Sequence, residues 1–161
     1  MSEAIKVGIY GAAGYTGQEL VNVLARHPYA ELVFATSNQD AGQPVPGTDR
    51  CYVPHEEAPL PDVDMVFLAQ PHQASAPVAG AALAAGVKAV DLSADLRLDT
   101  PEAYKQWYNA LHPFPSLLPV PYGLPEINRA AIAGASLVAN PGCYPTAALL
   151  GLYPLLASHA L

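Results

Sequence analysis

Two stretches of the sequence carry chemically active residue types at spacings that let them act. The first is Asn140-Pro141-Gly142-Cys143-Tyr144-Pro145-Thr146. A short apolar run, Ser136 to Ala139, leads into it and reads as a buried strand. Ala147-Ala148-Leu149-Leu150-Gly151-Leu152 behind it opens an apolar, helix-compatible run. Cys143 is therefore expected at a strand-to-helix turn, just before or at the helix N-terminus. Amide N–H groups lack partners there, and the helix dipole presents its positive end. Both favour the thiolate, which is the nucleophilic form of cysteine. Pro145 suits a first helical turn, where its missing N–H is not needed. Gly142 removes a side chain that would block a substrate carbonyl. The alternative at this point is a buried structural cysteine in a tight turn.

The second stretch is Gly11-Ala12-Ala13-Gly14-Tyr15-Thr16-Gly17. It follows a β-branched run, Ile5 to Tyr10, and precedes a helical pattern, Gln18 to Arg26, with Leu20, Val21 and Leu24 on one face. His27-Pro28 stops that helix. Strand, glycine turn and helix form the setting of a dinucleotide-binding loop: glycines let the backbone approach a pyrophosphate, and the helix N-terminus faces its charge. The spacing is G-x-x-G-x-x-G rather than G-x-G-x-x-G. The alternative is a glycine turn used only for close helix–strand packing.

These loops need strands to hold them. Glu31 to Thr36 reads as a second strand, ending in Thr36-Ser37-Asn38-Gln39 with Asp40 slightly later. No carboxylate stands at that strand end, which permits a 2′-phosphate, and no Arg stands there to select one. Gln43 to Pro61 reads as a surface excursion with one short strand at 51–53. His55, Glu56 and Glu57 within it read as a solvated loop rather than a metal site. Asp64 to Ala69 reads as a third strand, and Gln70-Pro71-His72 at its end can touch a cofactor on its nicotinamide side; a lone His also serves as a structural partner. A helix over 75–86 and a strand over 87–92 follow. Asp91-Leu92-Ser93-Ala94-Asp95-Leu96-Arg97 closes that strand. Arg97 there can bind phosphate or carboxylate bidentately, or pair with Asp95 or Asp91. Short helices are expected over 101–109 and 128–133. The alternation of strand and helix gives an α/β, Rossmann-like, doubly wound and mostly parallel sheet.

The 161 residues fit one domain, or two small ones. The net charge of −7, without a Lys/Arg cluster, argues against nucleic acid. No segment reads as a membrane span or leader, and Cys51 and Cys143 form no C-x-x-C pair. The expectation is a soluble cytoplasmic protein with reduced thiols and no metal.

Five motifs in order are similar to those of N-acetyl-γ-glutamyl-phosphate reductase, the semialdehyde dehydrogenase of arginine biosynthesis. They are Gly11 to Gly17, Phe67-Leu68-Ala69-Gln70-Pro71-His72, Asp91 to Arg97, Tyr122-Gly123-Leu124-Pro125-Glu126 and Asn140 to Thr146. The resemblance implies an NADP(H)-dependent oxidoreductase that takes N-acetylglutamyl 5-phosphate to the 5-semialdehyde through a thioester on Cys143. It implies cofactor contacts at Gly11, Ala12, Ala13, Gly14, Tyr15, Thr16, Gly17, Ser37, Ala69, Pro71 and His72. Ser93 and Arg97 are the candidates for the substrate phosphate, and Asn140 and Gly142 for its acyl end. Family members often carry a basic residue where this chain has Asn38. The family runs to about twice this length, as two-domain dehydrogenases do. The chain thus reads as its N-terminal half, with a dinucleotide domain over 1–142 and the start of a substrate and dimerisation domain over 143–161. The whole protein is then expected to be a homo-oligomer. His112 and His159 do not match the family's catalytic His. Two other readings are a reductase of a related acyl phosphate, aminoadipyl, aspartyl or carrier-bound, and an isolated non-catalytic NADP-binding fragment.

Overall fold

The computed structural model of the chain describes residues 4–159. Met1, Ser2 and Glu3, where a leader would begin, and Ala160 and Leu161 of the 143–161 segment lie outside the described residues. In chain order the elements are β1 (Ile5–Tyr10), α1 (Tyr15–Leu24), β2 (Ala30–Ala35), β3 (Met65–Leu68), α2 (Ser75–Ala84), β4 (Lys88–Asp91), α3 (Pro101–Tyr108), α4 (Pro125–Ala133), β5 (Leu137–Ala139) and α5 (Cys143–Ala157). Short 3₁₀ turns occupy His55–Glu57, Leu60–Asp62 and Pro115–Leu117. All strand pairings are parallel, in the order β2-β1-β3-β4-β5.

Side chains alternate across the sheet because successive residues of a strand point to opposite faces. On β1, Val7 and Ile9 enter one apolar cluster, with Val21 and Leu24 of α1 and Val45 and Tyr52 of the excursion. Tyr10 enters the other, with Val66 and Leu68 of β3, Ala76, Ala79 and Ala82 of α2, and Leu137 and Ala139 of β5. Both faces of the sheet are thus covered around β1 and β3, as parallel sheets require. Each fully buried Val, Leu or Ile contributes roughly 1.5–3 kcal/mol of burial energy. α2 carries a row of alanines on its inner side, so it lies close to the sheet.

The fold class read from the sequence is the one observed. The element bounds differ in instructive places. α1 starts at Tyr15 rather than Gln18, because extended Gly14 is its N-cap (φ −73°, ψ 166°). Gly17 is consequently a helical residue rather than part of the turn. α4 starts at Pro125, ahead of the expected Asn128, and Asn128 instead marks a kink (φ −118°, ψ 23°). The strand expected at 51–53 is reduced to isolated bridges, Pro44 with Cys51 and Val53 with Thr36. A third isolated bridge joins Tyr122 to Ala139, the last residue of β5. α5 begins at Cys143 itself, and none of its described residues is buried.

Candidate active site

In a sheet of order 2-1-3-4-5 the chain reverses direction across the sheet between β1 and β3, and ligands bind outside the carboxyl ends of the strands at that point. A crevice of about 590 Å³ opens there, lined by Gly11, Ala13 and Gly14 after β1, Ser37 to Asp40 after β2, Ala69 to Pro71 after β3, and His55. The three glycines of the turn have separate reasons to be glycine. Gly11 has φ +78°, and a Cβ on it would stand 2.5 Å from the Ala69 carbonyl oxygen. A Cβ on Gly17 would stand 2.4 Å from the Gly11 carbonyl oxygen. Those two close the turn against β3 and against α1. A Cβ on Gly14 would meet nothing closer than 3.7 Å, and the residue is exposed. The fold leaves Gly14 free to be larger, so its bareness serves something that approaches from outside.

That approach has donors to meet. α1 carries no side-chain cap and no acidic residue in its first turn. Among the described residues no acceptor takes the amides of Ala13, Tyr15, Thr16 or Gly17. The Gly11 amide donates to Thr36 Oγ1 at 3.1 Å and the Ala12 amide to the Thr36 carbonyl at 2.8 Å, which locks the turn to β2. On the crevice wall, Gln70 Oε1 is buried without a hydrogen-bond partner among the described residues. Bare glycine, open amides and an unused buried acceptor fit a dinucleotide, whose pyrophosphate takes the amides.

The glycines make a test. Gly17→Ala is expected to cost roughly 1–3 kcal/mol of folding stability, the range for overpacking. Gly14→Ala, at an exposed N-cap with no close neighbour, is expected to change urea unfolding by under about 1 kcal/mol, yet to weaken dinucleotide binding about tenfold in a fluorescence titration. Equal effects of the two on stability would contradict this division of roles.

Several sequence-predicted residues sit elsewhere than on the crevice wall. Ala12 is fully buried in the core, so only its backbone belongs to the turn. Tyr15 and Thr16 open α1 and are exposed. His72 is fastened to the next segment: its Nδ1 lies 3.1 Å from Asp95 Oδ1 and its Nε2 3.1 Å from the Tyr104 hydroxyl. Asp95 is fully buried. It accepts from the amides of Gln73 (2.7 Å), Ser75 (3.1 Å) and Ala76 (3.1 Å) at the start of α2, and from the Tyr104 hydroxyl (3.3 Å). His112 Nε2 donates to the Asp95 carbonyl at 2.7 Å, while its Nδ1 accepts from the Phe114 amide at 3.0 Å. Burial, and then the Asp95 charge beside it, push the Tyr104 phenol well above the usual tyrosine range. No local sequence pattern marks this knot of side chains as a whole.

The second predicted group gathers at the ends of β4 and β5. The Asn140 amide donates to the Asp91 carbonyl at 2.7 Å. Arg97 makes no ion pair with Asp91 or Asp95 among the described residues. Its Nε donates to the Asn140 carbonyl at 2.9 Å and its Nη2 to the Leu92 carbonyl at 2.8 Å. The guanidinium thereby ties the two strand ends together, and a Cβ on Gly142 would lie 3.1 Å from its Nη1. Ser93 is buried, donates to Asp91 Oδ2 at 2.9 Å and accepts from the Asp95 amide at 3.0 Å. Burial pushes the Asp91 carboxyl above the ordinary aspartate value, against the two hydrogen bonds from Ser93.

Cys143 is exposed and is the first residue of α5, so the reading of a buried structural cysteine does not hold. Gly142, its N-cap, offers no side chain, and Pro145 has no N–H. The Cys143 and Tyr144 amides have no acceptor among the described residues, and the Arg97 Nη1 lies against the preceding residue, Gly142. Open amides and a cation beside Gly142 are donors of the kind that stabilise negative charge developing on a reacting carbonyl.

The profile of the family described as "Semialdehyde dehydrogenase, NAD binding domain" matches residues 6–135. N-acetyl-gamma-glutamyl-phosphate reductase of Pseudomonas syringae pv. syringae (strain B728a) is 48% identical over 162 residues, covering 94% of this chain and 47% of its own. The protein of that name from Desulforudis audaxviator (strain MP104C) is 50% identical over 167 residues, covering 95% of this chain and 47% of its own. The chain thus spans about half the length of the curated relatives it matches. Among solved structures, aspartate semialdehyde dehydrogenase II from Vibrio cholerae superposes with a TM-score of 0.73 at 24% identity, over 97% of this chain and 43% of that one. Aspartate semialdehyde dehydrogenase with NADP from Candida albicans gives 0.62 at 19% identity, over 97% of this chain and 48% of that one. Glycine turn, sheet order and family profile agree, and the chain belongs to the semialdehyde dehydrogenase NAD-binding domain family.

Proposed function

We propose that this chain is the dinucleotide-binding, nucleophile-bearing half of an acyl-phosphate reductase, with N-acetylglutamyl 5-phosphate as substrate and the 5-semialdehyde as product. The observation that carries the reading is exposed Cys143 at the uncapped start of α5, one strand away from Arg97. The relatives' name, at 48–50% identity, supports the substrate. By the same reading residues 1–142 are the dinucleotide domain and 143–161 open the substrate domain. The whole protein works as a homo-oligomer in the cytoplasm, on a small molecule and without nucleic acid.

In this mechanism the Cys143 sulfur attacks the acyl carbonyl. The new C–S bond forms as the C–O bond to phosphate breaks, and phosphate leaves with the electron pair. Arg97 Nη1 and the open amides of Cys143 and Tyr144 are the donors for the negative charge at this stage. Asn140 and Gly142 border the acyl end. Ser93 holds the loop that presents Arg97 and stands next to the phosphate. A bound nicotinamide dinucleotide, NADPH by the resemblance, supplies the hydride that brings the acyl group to the aldehyde level. The open amides of α1, with Gly11, Ala13 and Gly14, would take its pyrophosphate, Ser37 would meet the ribose, and Ala69 and Pro71 would border the nicotinamide side, while His72, next in sequence, is held by Asp95 and Tyr104.

Phosphate-dependent oxidation of N-acetylglutamate 5-semialdehyde tests the reading. It is assayed with this chain joined to the C-terminal half of the Pseudomonas syringae relative. Turnover is expected with that aldehyde and at least about tenfold less with aspartate semialdehyde, a discrimination binding contacts readily supply. Dinucleotide binding without turnover on any such aldehyde would overturn it in favour of a binding module.

A further inference from the structure

Among the described residues, the crevice at the ends of β1, β2 and β3 is lined by one carboxylate, Asp40, and by no Lys or Arg. The chain has seven such cations, and each has a place elsewhere. Lys6 and Lys88 stand at the amino ends of β1 and β4, the side of the sheet opposite the crevice. Arg50 lies 3.6 Å from Glu31, at the amino end of β2. Arg26 bonds the Asn22 carbonyl beyond the end of α1, and Arg97 stands at the ends of β4 and β5, bonded to the Asn140 and Leu92 carbonyls. Lys105 and Arg129 belong to α3 and α4.

The ribose corner is also tightly specified. Ser37 is buried, and its hydroxyl donates to Asp40 Oδ2 at 2.8 Å while accepting the Asp40 amide at 3.2 Å. Asn38 Oδ1 accepts the His55 amide at 2.8 Å, so that side chain is engaged as well. The carboxylate that the sequence places past the strand end is thus folded back to it, with Asp40 Oδ1 unengaged among the described residues.

A carboxylate at this corner accepts hydrogen bonds from ribose hydroxyls, whereas a 2′-phosphate beside it places like charges together with no fixed cation to offset them. We infer that this crevice takes the unphosphorylated dinucleotide at least as well as the phosphorylated one, and that Asp40, held by Ser37, is the residue that sets the choice. The inference rests on the dinucleotide reading of the crevice and refines it.

The experiment is a fluorescence titration of this chain with NADH and with NADPH at 0.15 M salt. It is repeated for Asp40→Asn and, separately, for Asn38→Arg. NADH is expected to bind the unmodified chain no more weakly than NADPH. Asp40→Asn should move the ratio of dissociation constants toward NADPH by about tenfold, the effect of removing one like charge at close range. Asn38→Arg, which adds a cation at the same corner, should move it the same way. NADPH binding at least tenfold tighter than NADH to the unmodified chain would overturn the inference. So would a ratio that neither substitution shifts. Failure of both dinucleotides to bind would instead remove the reading of the crevice on which the inference stands.

Discussion

Cys143→Ser, assayed with the second half of the protein supplied, is expected to lower aldehyde turnover by about 10⁴-fold or more, the scale seen when a covalent nucleophile is removed. Serine keeps the size and the hydrogen bonding of the site but offers a hydroxyl in place of a thiol, and no histidine or carboxylate is positioned to activate it within the Asn140 to Thr146 turn. The side chain is exposed and contributes no packing, so folding should not change. Thermal unfolding and the dissociation constants for NADH and NADPH should therefore match the unmodified chain. Retention of turnover within tenfold would remove Cys143 from the role of nucleophile. Cys51 supplies the control, since it is also an exposed thiol but lies in the excursion between β2 and β3. Cys51→Ser should leave turnover unchanged.

Asp95→Ala should cost about 3–5 kcal/mol of folding stability, the usual loss when a buried, bonded charge is taken from its partners. The carboxylate accepts from three amides at the start of α2, which otherwise has no side-chain cap. It also accepts from Tyr104 and pairs with His72. Removing it leaves buried N–H and O–H donors unpartnered, each at roughly 1–3 kcal/mol before relaxation. Urea unfolding at constant m value gives the measurement, and a loss below 1 kcal/mol would show that water replaces the carboxylate without cost.

The parts of the molecule legible in the sequence are those whose signal is local. Val7, Ile9, Val66 and Leu68 announce their strands by apolar type, and Gly11 to Gly17 announces the turn by composition. Cys143 falls at a strand-to-helix joint because Ser136 to Ala139 and Ala147 to Leu152 differ in pattern on its two sides. Gly17 reads as part of the turn because a glycine in a string of glycines looks like punctuation; its place inside α1 follows from packing against the Gly11 carbonyl, which no spacing records. In the sequence Arg97 points to phosphate, carboxylate or an aspartate because each carries charge. Its actual partners among the described residues are two carbonyls, which every residue possesses and no sequence marks. The Asp95, His72, Tyr104 and His112 cluster joins segments up to forty residues apart, so only the assembled fold reveals it. One local clue did exist: Asp91, Ser93 and Asp95 alternate, and short polar side chains at that spacing bond neighbouring amides and fix a loop.

The isolated bridges at Thr36 and Ala139 have a consequence for how copies of this chain behave in solution. β2 and β5 are the two edges of the sheet, and an open strand edge is a template on which another chain can add a strand. Val53 lies along β2 at the end that carries Ser37, with its amide on the Ala35 carbonyl and its carbonyl taken by the Ser37 amide, each at 3.0 Å. Tyr122 lies along β5 at the end that carries Asn140, where Gly123 donates to Ala139 at 2.8 Å and Ala139 to Pro121 at 3.0 Å. Each edge is sealed at the end that bears the chemistry. Crowded copies that pair edge to edge must therefore do so from the opposite rim of the sheet, and a first aggregate can form with crevice and cysteine still facing solvent.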